Sequence, residues 1–261
     1  MTRGARAVAR VGLWWPTVAA FVVLALLWQV VALHNRYLIP TVPQIWNQLV
    51  GRPGLYWHDL LVTLQEAVVG ASLGMLAAFV LAVGMCQVRL LERALMPLAV
   101  LLNVTPVVAI APGLAVAFGF GFAPKYIVTA VIVFFPFLVN SLIGLRSADP
   151  QVEEVFRSLH ASASDMLLRL RVPNSLPFLF AAARICMPLS LIGAVVGEFS
   201  ASGNNGGLGS LIITASDDAN LRAVYASVVL LALLGLALTL LVVILQRQLL
   251  GWHQISARSG Q

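Results

Sequence analysis

Charge is what this chain has least of. Asp, Glu, Lys and Arg make up 10% of its 261 residues while 60% are hydrophobic, against about a quarter charged in soluble globular domains. With a mean hydropathy of +0.94, a water-soluble domain is excluded and a polytopic membrane protein is expected. Lysine is nearly absent: of 16 basic residues only Lys125 is not arginine. No G-x-x-x-x-G-K-[ST] motif occurs, so the chain carries no phosphate loop with which to hydrolyse ATP itself. Cysteine is limited to Cys86 and Cys186, both at or within apolar segments, where free, unreactive thiols are expected. The histidines, His34, His58, His160 and His253, are scattered and join no Cys/Asp/Glu group at metal-ligand spacing, which argues against a metal site and against a membrane enzyme. The formal charge of +6 lies between apolar blocks. It reads as topological charge, with no nucleic-acid footprint.

What is present is a series of apolar runs long enough to cross about 30 Å of hydrocarbon, near 13–33, 61–86, 95–118, 125–144, 177–199 and 223–246. The first follows Arg3, Arg6 and Arg10, exceeds a signal-peptide core and lacks a convincing cleavage site, so it is read as a retained span. Six spans put both termini on one side, and the arginine bias makes that side cytoplasmic. Arg89, Arg93, Arg146, Arg157, Arg169, Arg171, Arg247 and Arg258 join the N-terminal three, against Arg36, Arg52, Lys125 and Arg222 opposite. Backbone groups in lipid must be satisfied internally and no alternating ten-residue strands occur, so the fold expected is all-α, one transmembrane domain over 1–261.

Prolines interrupt several runs: Pro106 and Pro112 in the third, Pro136 in the fourth, Pro188 in the fifth. Each is either a packing kink or part of a water-lined wall, and the third run, with Asn103, Thr105-Pro106 and Pro112-Gly113 before Gly119-Phe120-Gly121, makes the stronger case for a wall. Asn103, Thr105, Pro106 and Asn140 are the candidate polar path. Among ionisable groups inside spans, Glu66, Arg184 and Glu198 stand out. Arg184 either snorkels to the near surface or meets a solute. Glu198 either borders an outer gate or pairs across a subunit interface.

The longest polar interruption is 146–177. Asp149-Pro150 followed by Glu153-Glu154 is a helix start, predicting a short helix to about Leu159. Ser162 with Asp165 three residues on opens a second as a capping box, carrying Met166, Leu167, Leu168 and Leu170. Pro173 is expected to stop that helix and Pro177 to start the next span. Phe156, Leu159, Met166, Leu167 and Leu170 then lie among charges. Either a protein partner covers them or they cap the chain's own helix ends.

These residues resemble a family. Glu153/Glu154, Leu159, Ala161-Ser162, the two-helix spacing and Pro173…Leu176-Pro177 look like the "EAA" coupling loop of permease subunits of ATP-binding-cassette importers. Thr105-Pro106…Ala109…Pro112, Phe118-Gly119, Lys125, Phe134-Phe135-Pro136, Gly193 to Phe199 and Gly207-Leu208-Gly209 fit as well, so that the likeness runs over roughly residues 40–246. It is similar to the branch for nitrate, sulfonate, taurine and pyrimidine precursors, and closest in character to permeases for pyrimidine or flavin precursors. Two departures stand in the loop: His160 where the family usually has glycine, and Glu154-Val155-Phe156 for Glu-Ala-Ala.

The resemblance implies a type I importer permease fold and a non-catalytic subunit that moves a small solute inward across a bacterial cytoplasmic membrane by alternating access. It implies ATPase coupling through Glu153, Glu154, Phe156, Leu159, His160, Ala161, Ser162 and Asp165. The chain itself would bind no cofactor; ATP and Mg would sit on two copies of a separate ATPase. A homodimer of the permease and an extracytoplasmic solute-binding protein complete the expected assembly, the latter received by Pro40, Pro43, Trp46 and Trp57 and by the Asn204–Gly209 segment ahead of Leu211-Ile212-Ile213. The rival class is an ion-coupled secondary transporter, against which the spans' poverty in midplane acids counts.

Overall fold

A computed structural model describes residues 3–35, 38–201 and 206–250, with side chains from residue 15 onward apart from 17 and 21. Arg36, Asn204-Asn205, Trp252-His253 and Arg258 therefore lie outside the described residues, as do the side chains of Arg3, Arg6 and Arg10. All regular structure among the described residues is helical: α1 Arg3–His34, α2 Val42–Gly51, α3 Pro53–Gln87, α4 Arg89–Val104, α5 Val107–Phe118, α6 Phe122–Leu145, α7 Pro150–Ser158, α8 Ala163–Met166, α9 Val172–Ser200, α10 Leu208–Asp217 and α11 Leu221–Leu249.

Among the described residues, four helical stretches are long and apolar enough to cross a membrane, namely α3, α6, the stretch Ala163–Ser200 and α11, or five if the bent pair α4 and α5 is one span, against the six runs expected; the apolar part of α1, Val18–His34, is shorter. The third apolar run is not one straight span. It divides at Thr105-Pro106 into α4 and α5, bent by 94°. Pro106 supplies no N–H to continue the helix and pushes Thr105 to extended backbone, ψ 127°. Pro112, Pro136 and Pro188 lie inside helices that continue past them.

Pro173 does not stop the second loop helix, and Pro177 does not start a new one. A π turn, Leu167–Arg171, joins α8 to α9, and the Val172 N–H donates to Leu167 O five residues back. The widened turn takes up the crowding that a proline ring imposes on the preceding carbonyls, so the chain runs unbroken from Ala163 to Ser200.

The core is built from α3, α6 and α9, with α6 in the middle. Small residues let the backbones approach. A Cβ added at Gly70 would fall 2.5 Å from Thr129 Cβ, one at Gly74 2.4 Å from Ala130 O, and one at Gly197 2.8 Å from Lys125 Cα. In lipid, where apolar burial drives little association, such close packing is a main source of helix–helix attraction. Ala71, Ala78 and Ala82 of α3 extend the seam to Val133, Leu138 and Leu142 of α6 and to Ala182 and Cys186 of α9. Cys86 and Cys186 are both free thiols. α1 is tied in near its end: the Trp28 indole donates to Pro40 O and meets Tyr225 of α11 edge to face, 5.3 Å between centroids.

Candidate functional site

At one end of the bundle the 146–177 loop forms as its cap signals predict. Asp149 accepts from the Gln151 N–H at 2.9 Å and Pro150 opens α7. The helix closes in a Schellman turn: the Ala161 N–H donates to Phe156 O and the His160 N–H to Arg157 O. That motif needs a left-handed residue in the place His160 occupies, and His160 takes it at φ 56°. The departure from glycine thus preserves the turn and stores strain in it. Ser162 then caps α8, accepting from the Asp165 N–H and donating to the Asp165 carboxylate at 2.6 Å, and Asp165 pairs with Arg169 at 3.2 Å.

The two adjacent glutamates of α7 face opposite ways. Glu153 turns inward and is held by Arg171 at 3.1 Å, with Arg157 at 3.7 Å. Glu154 is exposed, as are Val155, His160 and Leu159, the last to 74%. Phe156 and Ala161 are half-buried. Beneath the loop, Arg146 makes a bidentate pair with Glu92 of α4, at 2.6 and 2.8 Å; these bonds hold its guanidinium pKa above the ordinary value. The loop therefore has an anchored underside and an open outer face with apolar and acidic character.

The candidate path residues do not form one cluster. Asn103, Thr105 and Pro106 are exposed at the α4–α5 bend, where the Thr105 hydroxyl donates back to Leu101 O. Asn140 lies half-buried on α6 and donates to Pro136 O at 2.8 Å, one turn back in its own helix. Arg184 is exposed on α9 and hydrogen-bonds Gln246 of α11. Glu198 is fully buried near the end of α9.

Around Glu198 the structure assembles a charged centre that the sequence did not announce. Lys125 Nζ sits 2.7 Å from Glu66 Oε1, and neither side chain has any exposed surface. Glu198 lies close enough to interact with both. It accepts from the Thr63 hydroxyl at 2.7 Å and from the Ser210 N–H at 2.8 Å. Thr63 accepts from the Leu208 N–H, and Asp59 from the Gly207 N–H. Glu198 of α9 with Thr63 and Asp59 of α3 thus grip the segment that opens α10, Lys125 of α6 reaches Gly206 O at 3.5 Å, and the whole centre lies at the opposite end of the bundle from the 146–177 loop. Gly207, at φ 118°, has no room for a side chain: a Cβ would stand 2.4 Å from Glu198 Cδ. The available signal was the lone lysine in an arginine-rich chain, together with two glutamates inside apolar runs, since each buried charge demands a partner.

With this geometry in hand, the chain can be compared with known proteins. Residues 70–250 match the family described as binding-protein-dependent transport system inner membrane component. The chain is 32% identical over 237 residues to the formylaminopyrimidine transport permease protein ThiX of Halalkalibacterium halodurans, covering 90% of this chain and 94% of that one. It is 33% identical over 249 residues to the riboflavin transport system permease protein RibX of Chloroflexus aurantiacus, covering 92% and 91%. Against a putative aliphatic sulfonates transport permease protein, SsuC of Bacillus subtilis, identity is 26% over 237 residues, covering 88% and 85%. The chain belongs to the binding-protein-dependent transport system inner-membrane components, the permease subunits of ATP-binding-cassette importers.

Proposed function

We propose that this chain is the membrane half of an ATP-driven importer, taking up a small solute by alternating access. A separate ATPase, two copies per assembly, binds ATP and Mg and docks on the 146–177 loop; an extracytoplasmic binding protein delivers the solute at the opposite end. Two permease chains, as a homodimer, match two ATPase copies. The loop and both termini face the cytoplasm of a bacterial cell, in keeping with the arginine bias.

The observation that carries this reading is the division of α7 into an anchored and an open face. Glu153 locks the helix to Arg171 at the start of the long Ala163–Ser200 stretch, while Glu154, Val155 and Leu159 point away from the chain's own body. A push on that open face is passed directly into the helix that carries Glu198 at its far end. The proposed solute path comprises Asn103, Thr105 and Pro106 at the α4–α5 bend, Asn140 of α6, and Arg184 and Glu198 of α9.

For the solute, the relatives' names include a formylaminopyrimidine and riboflavin. A neutral or zwitterionic heterocyclic compound suits a path whose polar groups at the bend are uncharged. The test is co-expression with candidate ATPase subunits. Wild type should co-purify with the ATPase and stimulate hydrolysis, and Glu154→Arg should lose both while its dimer stays folded. Uptake by the purified chain in liposomes, driven by an ion gradient without any ATPase, would replace this reading with a secondary carrier.

A further inference from the structure

Under the 146–177 loop lies a polar cavity of about 550 Å³, lined by Cys86, Arg89, Glu92, Arg93, Arg146, Glu153, Arg157 and Arg171. Five arginines face two glutamates, a formal surplus of 5 − 2 = +3. Three of the arginines are already engaged: Arg146 with Glu92, and Arg157 and Arg171 with Glu153. Arg89 and Arg93, on the first turns of α4, make no ion pair within 4.0 Å among the described residues. The cavity is therefore built to accept an anion, with two guanidinium groups to spare.

A second hollow of about 730 Å³ continues from it, lined by Glu92, Arg93, Met96, Pro97, Val100 and Leu101. The two share Glu92 and Arg93. Past those charges the groove is apolar, following one face of α4 at helical spacing, and from Arg93 to Leu101 it runs roughly 12 Å at 1.5 Å per residue. One leaflet of hydrocarbon is about 15 Å deep. A basic chamber at the end of the helices, opening into an apolar groove nearly one leaflet long, has the order of charge and apolarity of an anionic lipid.

We propose that this composite cavity holds an anionic phospholipid, its phosphate between Arg89 and Arg93 and one acyl chain along Met96, Val100 and Leu101. Basic pockets between helices at a membrane surface are suited to such headgroups. An acidic side chain of a partner protein would use the arginines and leave the groove unfilled; a free phosphate would do the same. Because the chamber is walled by Glu153 and Arg171, the lipid braces the inner side of α7 without touching its open face. The groove stops about one turn short of Asn103 and Thr105 on the same helix, and lipid binding is measured apart from transport.

The experiment titrates the purified full-length chain in neutral detergent with phosphatidylglycerol, with phosphatidylcholine of the same chains and with inorganic phosphate, reading bound lipid by native mass spectrometry. Phosphatidylglycerol should bind at least tenfold more tightly than phosphatidylcholine. Arg89→Gln/Arg93→Gln should weaken it by about 30-fold, from the usual contribution of a surface arginine to anionic-lipid attraction. Arg89→Lys/Arg93→Lys should retain most of the binding, and Val100→Asn/Leu101→Asn should lose it with both arginines in place. Equal binding of the two lipids by wild type overturns the proposal, and that comparison stands even if a variant fails to fold. So does undiminished binding by the glutamine variant. Competition by millimolar phosphate as effective as that of lipid would make this a plain anion site, and a lipid-free dimer with the groove shielded would make the occupant a second copy; both refute the lipid.

Discussion

Lys125→Met should be among the most damaging single substitutions in this chain. The lysine is fully buried, 2.7 Å from an equally buried Glu66 carboxylate, with Glu198 close by. Removing one member of a buried ion pair typically costs about 3–5 kcal/mol, because the other is left desolvated without its counter-charge. Replacing both members by apolar residues of similar volume is often neutral or better. Glu66→Met should cost a similar amount, and Glu66→Met/Lys125→Met should recover most of either loss, so that the coupling energy in the double-mutant cycle is about 5 kcal/mol or more. The assay is reversible unfolding in mixed micelles, with helicity followed for wild type, both single variants and the double variant at one pH and detergent ratio. A Lys125→Met loss below about 1 kcal/mol would refute the reasoning, since that is the range of exposed pairs. So would a double variant as unstable as the single, which would mean that the lysine acts through packing rather than through its charge.

Two further outcomes follow from backbone geometry. His160→Gly should stabilise the end of α7 by about 1 kcal/mol, the left-handed penalty less the added freedom of the unfolded chain, seen as slower amide exchange at Leu159–Ala161. Gly207→Ala combines a φ of 118° with a contact 2.4 Å from Glu198 Cδ, so it should cost more than about 2 kcal/mol in the same micelle assay and expose the start of α10 to proteolysis.

The 146–177 loop was legible in the sequence because its signals are local. Asp149-Pro150, Ser162 with Asp165 and the His160 turn each act within a few residues, and each forms as its chemistry requires. The same local reading placed a stop at Pro173 and failed. Whether a proline breaks a helix depends on the turn before it, and the π turn Leu167–Arg171 lets the chain pass.

Composition and the lengths of the apolar runs determined that this is an all-helical membrane protein, since lipid leaves backbone groups no other partners. They marked the third run, with Thr105-Pro106 and Pro112-Gly113, as the most interrupted one, and that run bends by 94° at Thr105-Pro106. Only the tertiary structure decided the rest. Glu66, Lys125 and Glu198 are separated by 59 and 73 residues along the chain (125 − 66 and 198 − 125), and they meet because glycines on α3 and α9 let both helices close on α6. The two faces of α7 likewise depended on an arginine 18 residues away. Charge pairing at such distances is set by which backbones can approach, and that is a property of the packed helices rather than of any stretch of sequence.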